Sequence, residues 1–142
     1  MIPAIEFLRE SAWAYPILEI VHIVGIALLL GNLVVFEARV LGAGKSIDLT
    51  ALARLALPLS VLGFMLAAMS GLTMFATQAL ELLANPAFKW KMLLLAIAGG
   101  NAAWFHARGS LKLNDTISRL QVIASFFIWI AVLSCGRLIA YV

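Results

Sequence analysis

The sequence predicts an all-α integral membrane protein, a bundle of four transmembrane helices. Three observations point there. Hydrophobic residues make up 64% of the 142 positions and charged residues 12%, against about 45–50% and about 25% in soluble domains. Four stretches approach the roughly 20 apolar helical residues that a hydrocarbon core of about 30 Å requires. Charged residues fall mainly between those stretches.

The first stretch runs from about residue 15 to 36, with Pro16 at a tolerated first-turn position. The second, about 55–80, carries no charge and contains Pro58, which should bend or start it. Asn85 and Pro86 mark a turn and a fresh helix start before the third, about 90–106. That segment is short, so Lys89 and Lys91 are expected to snorkel toward the headgroups. The fourth runs from about 120 to 141 and is entered through Asn114, Asp115 and Thr116, any of which can cap it. Between the first two, Gly42 and Gly44 stop a helix, and Ser46, Asp48 or Thr50 can open the next. One domain of 142 residues is expected, with no soluble appendage.

The opening residues lack the basic region and small-residue cleavage site of a signal peptide and read as retained. Ile5, Phe7, Leu8 and Trp13 beside Glu6, Arg9 and Glu10 suggest a short interfacial helix over about residues 3–12. A free N-terminal loop is the alternative.

The formal net charge is +3, but the basic residues are scattered singly, which gives no footprint for nucleic acid. The loops after the first and third segments carry Arg39, Lys45, Arg54, Arg108, Lys112 and Arg119, and the opposite side carries Arg9, Lys89, Lys91 and Arg137. By the positive-inside rule both termini face away from the cytoplasm. Trp13, Tyr15, Phe88, Trp90 and Tyr141 then fall at the outer boundary as an aromatic belt. A bacterial inner membrane is the expected location. The expected partners are the lipid bilayer, further copies of the chain and other membrane or periplasmic subunits.

Small residues recur at four-residue spacing in Ala27 and Gly31, in Gly63, Ala67 and Gly71, and in Ala96 and Gly100. Such faces let helix backbones approach. Asn32 follows Gly31 and Asn101 follows Gly100, which invites interhelical hydrogen bonds or a line of water at midplane.

Ionisable groups in membrane segments are costly and mark function by default. Glu19 and His22 share a face of the first segment, with Gly25 one turn further along it. A histidine beside bare backbone suits an axial ligand of haem b, the glycine leaving room for the macrocycle and the carboxylate orienting the imidazole. Structural hydrogen bonding and proton handling are the competing readings. Counted from the aromatic belt, His22 and His106 differ in depth by on the order of 13 Å, so they do not clamp one iron. Met74, Ser134 and Cys135 lie near the level of His22, so a methionine or a thiolate could be the second ligand if there is one, although Met65, Met69 and Met74 also suit plain packing. Glu19 and Arg137 are each four residues inside an aromatic boundary and are expected to form an ion pair. Glu37 is expected to pair with Arg39, Arg54, Arg108 or Arg119. The lone Cys135 excludes an internal disulfide and a multi-cysteine metal site.

Tyr15, Pro16, Glu19, His22, Gly25, Gly31, Arg39 and Gly42, with the later NAAWFH at 101–106, are the elements of a resemblance. The chain resembles a family of small bacterial four-helix integral membrane proteins with no assigned function. It is more loosely similar to four-helix b-type cytochromes and copper-resistance membrane proteins. The first resemblance implies a four-helix fold. The second implies histidines within such a bundle, which those cytochromes generally place as facing pairs at matched depth.

Together these features favour a membrane redox subunit that holds haem b or a quinone near His22 and exchanges electrons with a periplasmic partner. A cofactor-free assembly subunit and a small oligomeric channel or carrier are the alternatives. Neither histidine has a nearby serine or cysteine nucleophile in sequence and no carboxylate cluster forms a metal site, so autonomous catalysis has little footing.

Overall fold

A computed structural model describes residues 2–142, and every regular element among them is helical. The order is α1 (Ile2–Glu10), α2 (Ala14–Val40), α3 (Leu49–Thr77), α4 (Ala79–Ala84), α5 (Pro86–Arg108), α6 (Ser110–Leu113) and α7 (Thr116–Leu138). Three of these, α2, α3 and α7, are long and apolar enough to cross a membrane, which is compatible with a multi-pass membrane protein. α5 is as long as α7 at 23 residues but is broken up by Lys89, Lys91, Asn101 and His106.

Local chemistry sets the boundaries. Asp48 accepts from the Ala51 N–H at 3.0 Å and caps α3. Asn85 accepts from the Ala87 and Phe88 N–H groups and caps α5, with Pro86 at its first position. Asp115 accepts from the Ser118 N–H and caps α7. Each side chain satisfies donors that the first helical turn leaves open. Gly42, at φ +114°, turns the chain out of α2 in a region that other residues rarely adopt. Pro58 lies inside a continuous α3, past which helix the chain continues unbroken to Thr77.

Two antiparallel hairpins result, α2 on α3 and α5 on α7. The first is seamed by a stripe of buried small residues, Ala53, Ala56, Ser60, Gly63, Ala67 and Ser70, recurring at three- and four-residue steps. At its centre the backbones nearly touch. A methyl group placed on Gly25 would meet the Ala67 nitrogen at 2.6 Å and the Gly63 oxygen at 2.7 Å, and one on Gly63 would meet the Leu29 nitrogen at 2.5 Å. This corrects part of the packing expectation: Gly31 and Gly100 have nothing within 4 Å at the Cβ position, whereas Gly25 is a contact point.

The hairpins meet at the end carrying the 41–48 loop. Phe36 and Val40 of α2, Ala53 and Ala56 of α3, Phe105 of α5 and Val122 of α7 form the buried core there. Phe36 and Phe105 pack edge to face at 6.0 Å. Further along, Phe64 of α3 meets Trp129 of α7, and Phe75 of α3 stacks on Phe88 of α5. Much of the remaining surface is apolar, from Ile17, Ile20 and Ile23 on α2 to Phe127 on α7. Such a surface suits lipid.

Candidate functional site

His22 is held from α3. Its Nδ1 lies 2.9 Å from the Ala67 carbonyl and 3.1 Å from the Ser70 hydroxyl. A carbonyl only accepts, and the Ser70 hydroxyl already donates to the Leu66 carbonyl at 2.7 Å. Both neighbours of Nδ1 are therefore acceptors, and Nδ1 carries the proton. In the neutral ring this leaves a lone pair on Nε2. The Gly71 backbone lies under the ring edge, since a Cβ there would sit 3.2 Å from Cε1. One serine and one glycine of α3 thus fix both tautomer and orientation.

Lys91 faces this group from the other hairpin. Its Nζ lies 3.4 Å from the Cβ position of Gly136 on α7, so the ammonium is packed against α7, and the expectation that it snorkels outward is corrected. The Lys91 side chain runs along Gly136, where a Cβ would make only ordinary contact with it. Cys135 is the chain neighbour of Gly136 and so lies at the same level of α7 as the Lys91 ammonium. Lys89, two residues earlier, is exposed.

Other candidate residues are placed differently. Gly25 does not leave room for a macrocycle, because its bare face is filled by Gly63 and Ala67. Met74 is partly buried on α3, and the hydrogen bond it makes is through its carbonyl, which accepts from Thr77 Oγ1. Glu19 is exposed and makes no ion pair among the described residues. Arg137 is also exposed, donates to the Tyr141 hydroxyl at 3.3 Å and lies over that ring. The expected Glu19–Arg137 pair is thus not formed. The two residues belong to different hairpins, joined most closely at the opposite end.

The donor set fits haem b only in part. The Nε2 lone pair of His22 is the right atom, but the flat surface expected beside it is occupied by helix α3. The described residues contain no group of three or more His, Cys, Asp or Glu suited to a metal ion.

A second polar group lies toward the 41–48 loop. Glu37 is 4% exposed and is met by Ser125 of α7, whose hydroxyl donates to Oε1 at 2.9 Å. Its other oxygen has no hydrogen-bond partner, and no arginine pairs with it. One turn from Ser125, the buried Gln121 accepts from Ser110 and leaves its own Nε2 without a partner. Asn101 donates to the Gln121 carbonyl at 2.9 Å and so joins α5 to α7, whereas Asn32 bonds within its own helix to Leu28. His106 is exposed and packs against Phe105.

Sequence reasoning missed Ser70, Lys91 and Ser125. Ser70 was legible as a member of the small-residue stripe. Lys91 was not, because Gly136, which it runs along, lies on a helix 45 positions later.

Comparison with protein-family models, with curated proteins and with solved structures gave no match.

Proposed function

We propose that the chain is a membrane redox subunit that binds a quinone at His22 and Lys91 and exchanges electrons with a periplasmic electron-carrier protein. The observation that carries this reading is the fixed tautomer of His22, which leaves a lone pair on Nε2, with the Lys91 ammonium packed against α7. A bound quinone supplies two-electron, two-proton chemistry as it becomes a quinol. His22 Nε2 is a hydrogen-bond acceptor for a quinol hydroxyl and can hold its proton. The Lys91 ammonium is a donor for a carbonyl oxygen. Haem b at His22 is less well supported, since Gly25 offers no free face.

In this reading α5 is a fourth crossing beside α7, and the bundle lies in a bacterial inner membrane with both termini outside. Support comes from the basic residues around the 41–48 and 109–115 connections. Such loops belong on the cytoplasmic side.

Purified protein should yield a quinone on extraction, near one per chain, and His22→Ala should lose it while keeping its helicity. Absence of both quinone and a Soret band, in protein produced with ample haem and quinone, overturns the proposal. A Soret band that His22→Ala abolishes assigns haem instead.

One observation favours a second reading, an assembly subunit without cofactor. Glu19 is exposed on a membrane-spanning helix with no ion-pair partner among the described residues. A carboxylate in that position calls for a cation from another chain. On this reading Glu19→Gln weakens subunit association, and His22→Ala changes no cofactor content.

A further inference from the structure

At the end of the α2–α3 hairpin away from the 41–48 loop, the surface forms an open cleft of about 470 Å³. Its size lies in the roughly 300–1,000 Å³ range of small-molecule sites. α1 supplies Leu8 and Arg9, Tyr15 and Pro16 come from the start of α2, Thr77 from the end of α3, and Gln78 and Glu81 from the segment beyond. The cleft is separate from the polar group around His22.

Two opposite charges line this cup without pairing with each other. Arg9 donates from Nε to the Thr77 carbonyl at 3.0 Å, which fixes α1 against the end of α3. Its two terminal nitrogens make no hydrogen bond or ion pair among the described residues. Glu81 makes none either. An isolated anion would be repelled by Glu81 and an isolated cation by Arg9. A ligand with both an anionic group and an ammonium satisfies the two walls together.

The surroundings identify its source. Trp13 is 75% exposed beside the cup, and Leu80 and Leu83, which flank Glu81, are 86% and 54% exposed. Aromatic and apolar side chains at the end of membrane-spanning helices lie where headgroups meet acyl chains. We propose that the cup binds the headgroup of a zwitterionic phospholipid with a primary ammonium, a phosphatidylethanolamine, with phosphate on Arg9 and ammonium on Glu81. Phosphate takes the guanidinium nitrogens through charge-assisted hydrogen bonds. The carboxylate accepts from the ammonium N–H groups, which a choline headgroup lacks. The exposed leucines of α4 lie against its chains.

The test is lipid retention by the full-length chain, taken from vesicles of equal parts phosphatidylethanolamine, phosphatidylcholine and phosphatidylglycerol and stripped stepwise in detergent. Native mass spectrometry should find the ethanolamine lipid enriched about tenfold over each of the others, as a difference of one charge-assisted contact gives. Glu81→Gln should move the preference to phosphatidylglycerol, and Arg9→Lys should keep more of it than Arg9→Gln. Both side chains are exposed, so the fold is expected to survive, and circular dichroism verifies it. Equal retention of the three lipids, or an unchanged preference in Glu81→Gln, overturns the proposal. Displacement of the lipid by millimolar free phosphoethanolamine overturns the lipid assignment and makes a soluble zwitterion the ligand.

Discussion

At the scale of single residues, Asp115 shows how one carboxylate organises a connection. It pairs with Arg108, caps α7 through the Ser118 N–H and meets the Ser118 hydroxyl. Arg108 also donates to Ser110, and the Ser118 hydroxyl donates to the Ser110 carbonyl, so the whole turn from α5 to α7 is cross-linked. The Arg108 guanidinium first, and then the Ser118 N–H, hold the Asp115 carboxyl well below the usual carboxylate range. A depressed acid stabilises the fold above its unfolded value, about 3.9, and that contribution fades as pH falls toward the folded value. Hydrogen-exchange protection at residues 109–118, taken relative to the intrinsic rate at each pH, should therefore be unchanged from pH 7 to 5 and fall below about pH 4. Asp115→Asn should remove that acid limb, and an identical pH profile in the variant would refute the assignment.

At the scale of elements, the α2–α3 hairpin is decided by backbone approach. A Cβ on Gly25 or Gly63 would meet main-chain atoms at 2.7 Å or less, and main chain cannot rotate aside. Gly25→Ala should push the helices apart and cost about 1–3 kcal/mol, the range for overpacked sites. Gly31→Ala, on the same helix, has open space and should be neutral or slightly stabilising through helix propensity. Thermal unfolding in one detergent measures both, and equal effects would show that the crossing is not at Gly25. The helix caps were legible because capping is local chemistry, read within three residues. The crossing point was only partly legible: Gly63 and Ala67 stood in a recognised small-residue pattern, while Gly25 was read as space for a ligand.

At the scale of the whole molecule, the two hairpins are joined by an apolar core and, among the described residues, by a part-buried hydrogen bond from Ser125 to Glu37. Ser125→Ala leaves Glu37 with neither oxygen partnered among the helices, and a stranded buried polar group costs about 1–3 kcal/mol. Adding Glu37→Leu removes the stranded group, so the double variant should regain most of the loss. Mixed-micelle unfolding of the single and double variants tests this, and a double variant weaker than Ser125→Ala would show that Glu37 has another partner. The isolated apolar surface belongs to the same scale. Its many exposed Leu, Ile and Phe side chains suit a lipid or detergent surrounding.

Composition and hydropathy alone determined that the chain is helical and that long stretches of it suit a membrane, because those properties are sums over residues and need no partner. Residue types at the boundaries narrowed the caps to Ser46, Asp48 or Thr50 and to Asn114, Asp115 or Thr116 and put a helix start at Asn85–Pro86, and the structure selects Asp48, Asn85 and Asp115. The pairing of distant groups was decided only in three dimensions. His22 finds Ala67 and Ser70, Lys91 finds Gly136, and Glu37 finds Ser125 where depth counting and charge matching had suggested arginines. Sequence position constrains depth along each helix. Which face meets which neighbour depends on helix rotation and crossing, and these follow from close packing of side chains that lie tens of residues apart.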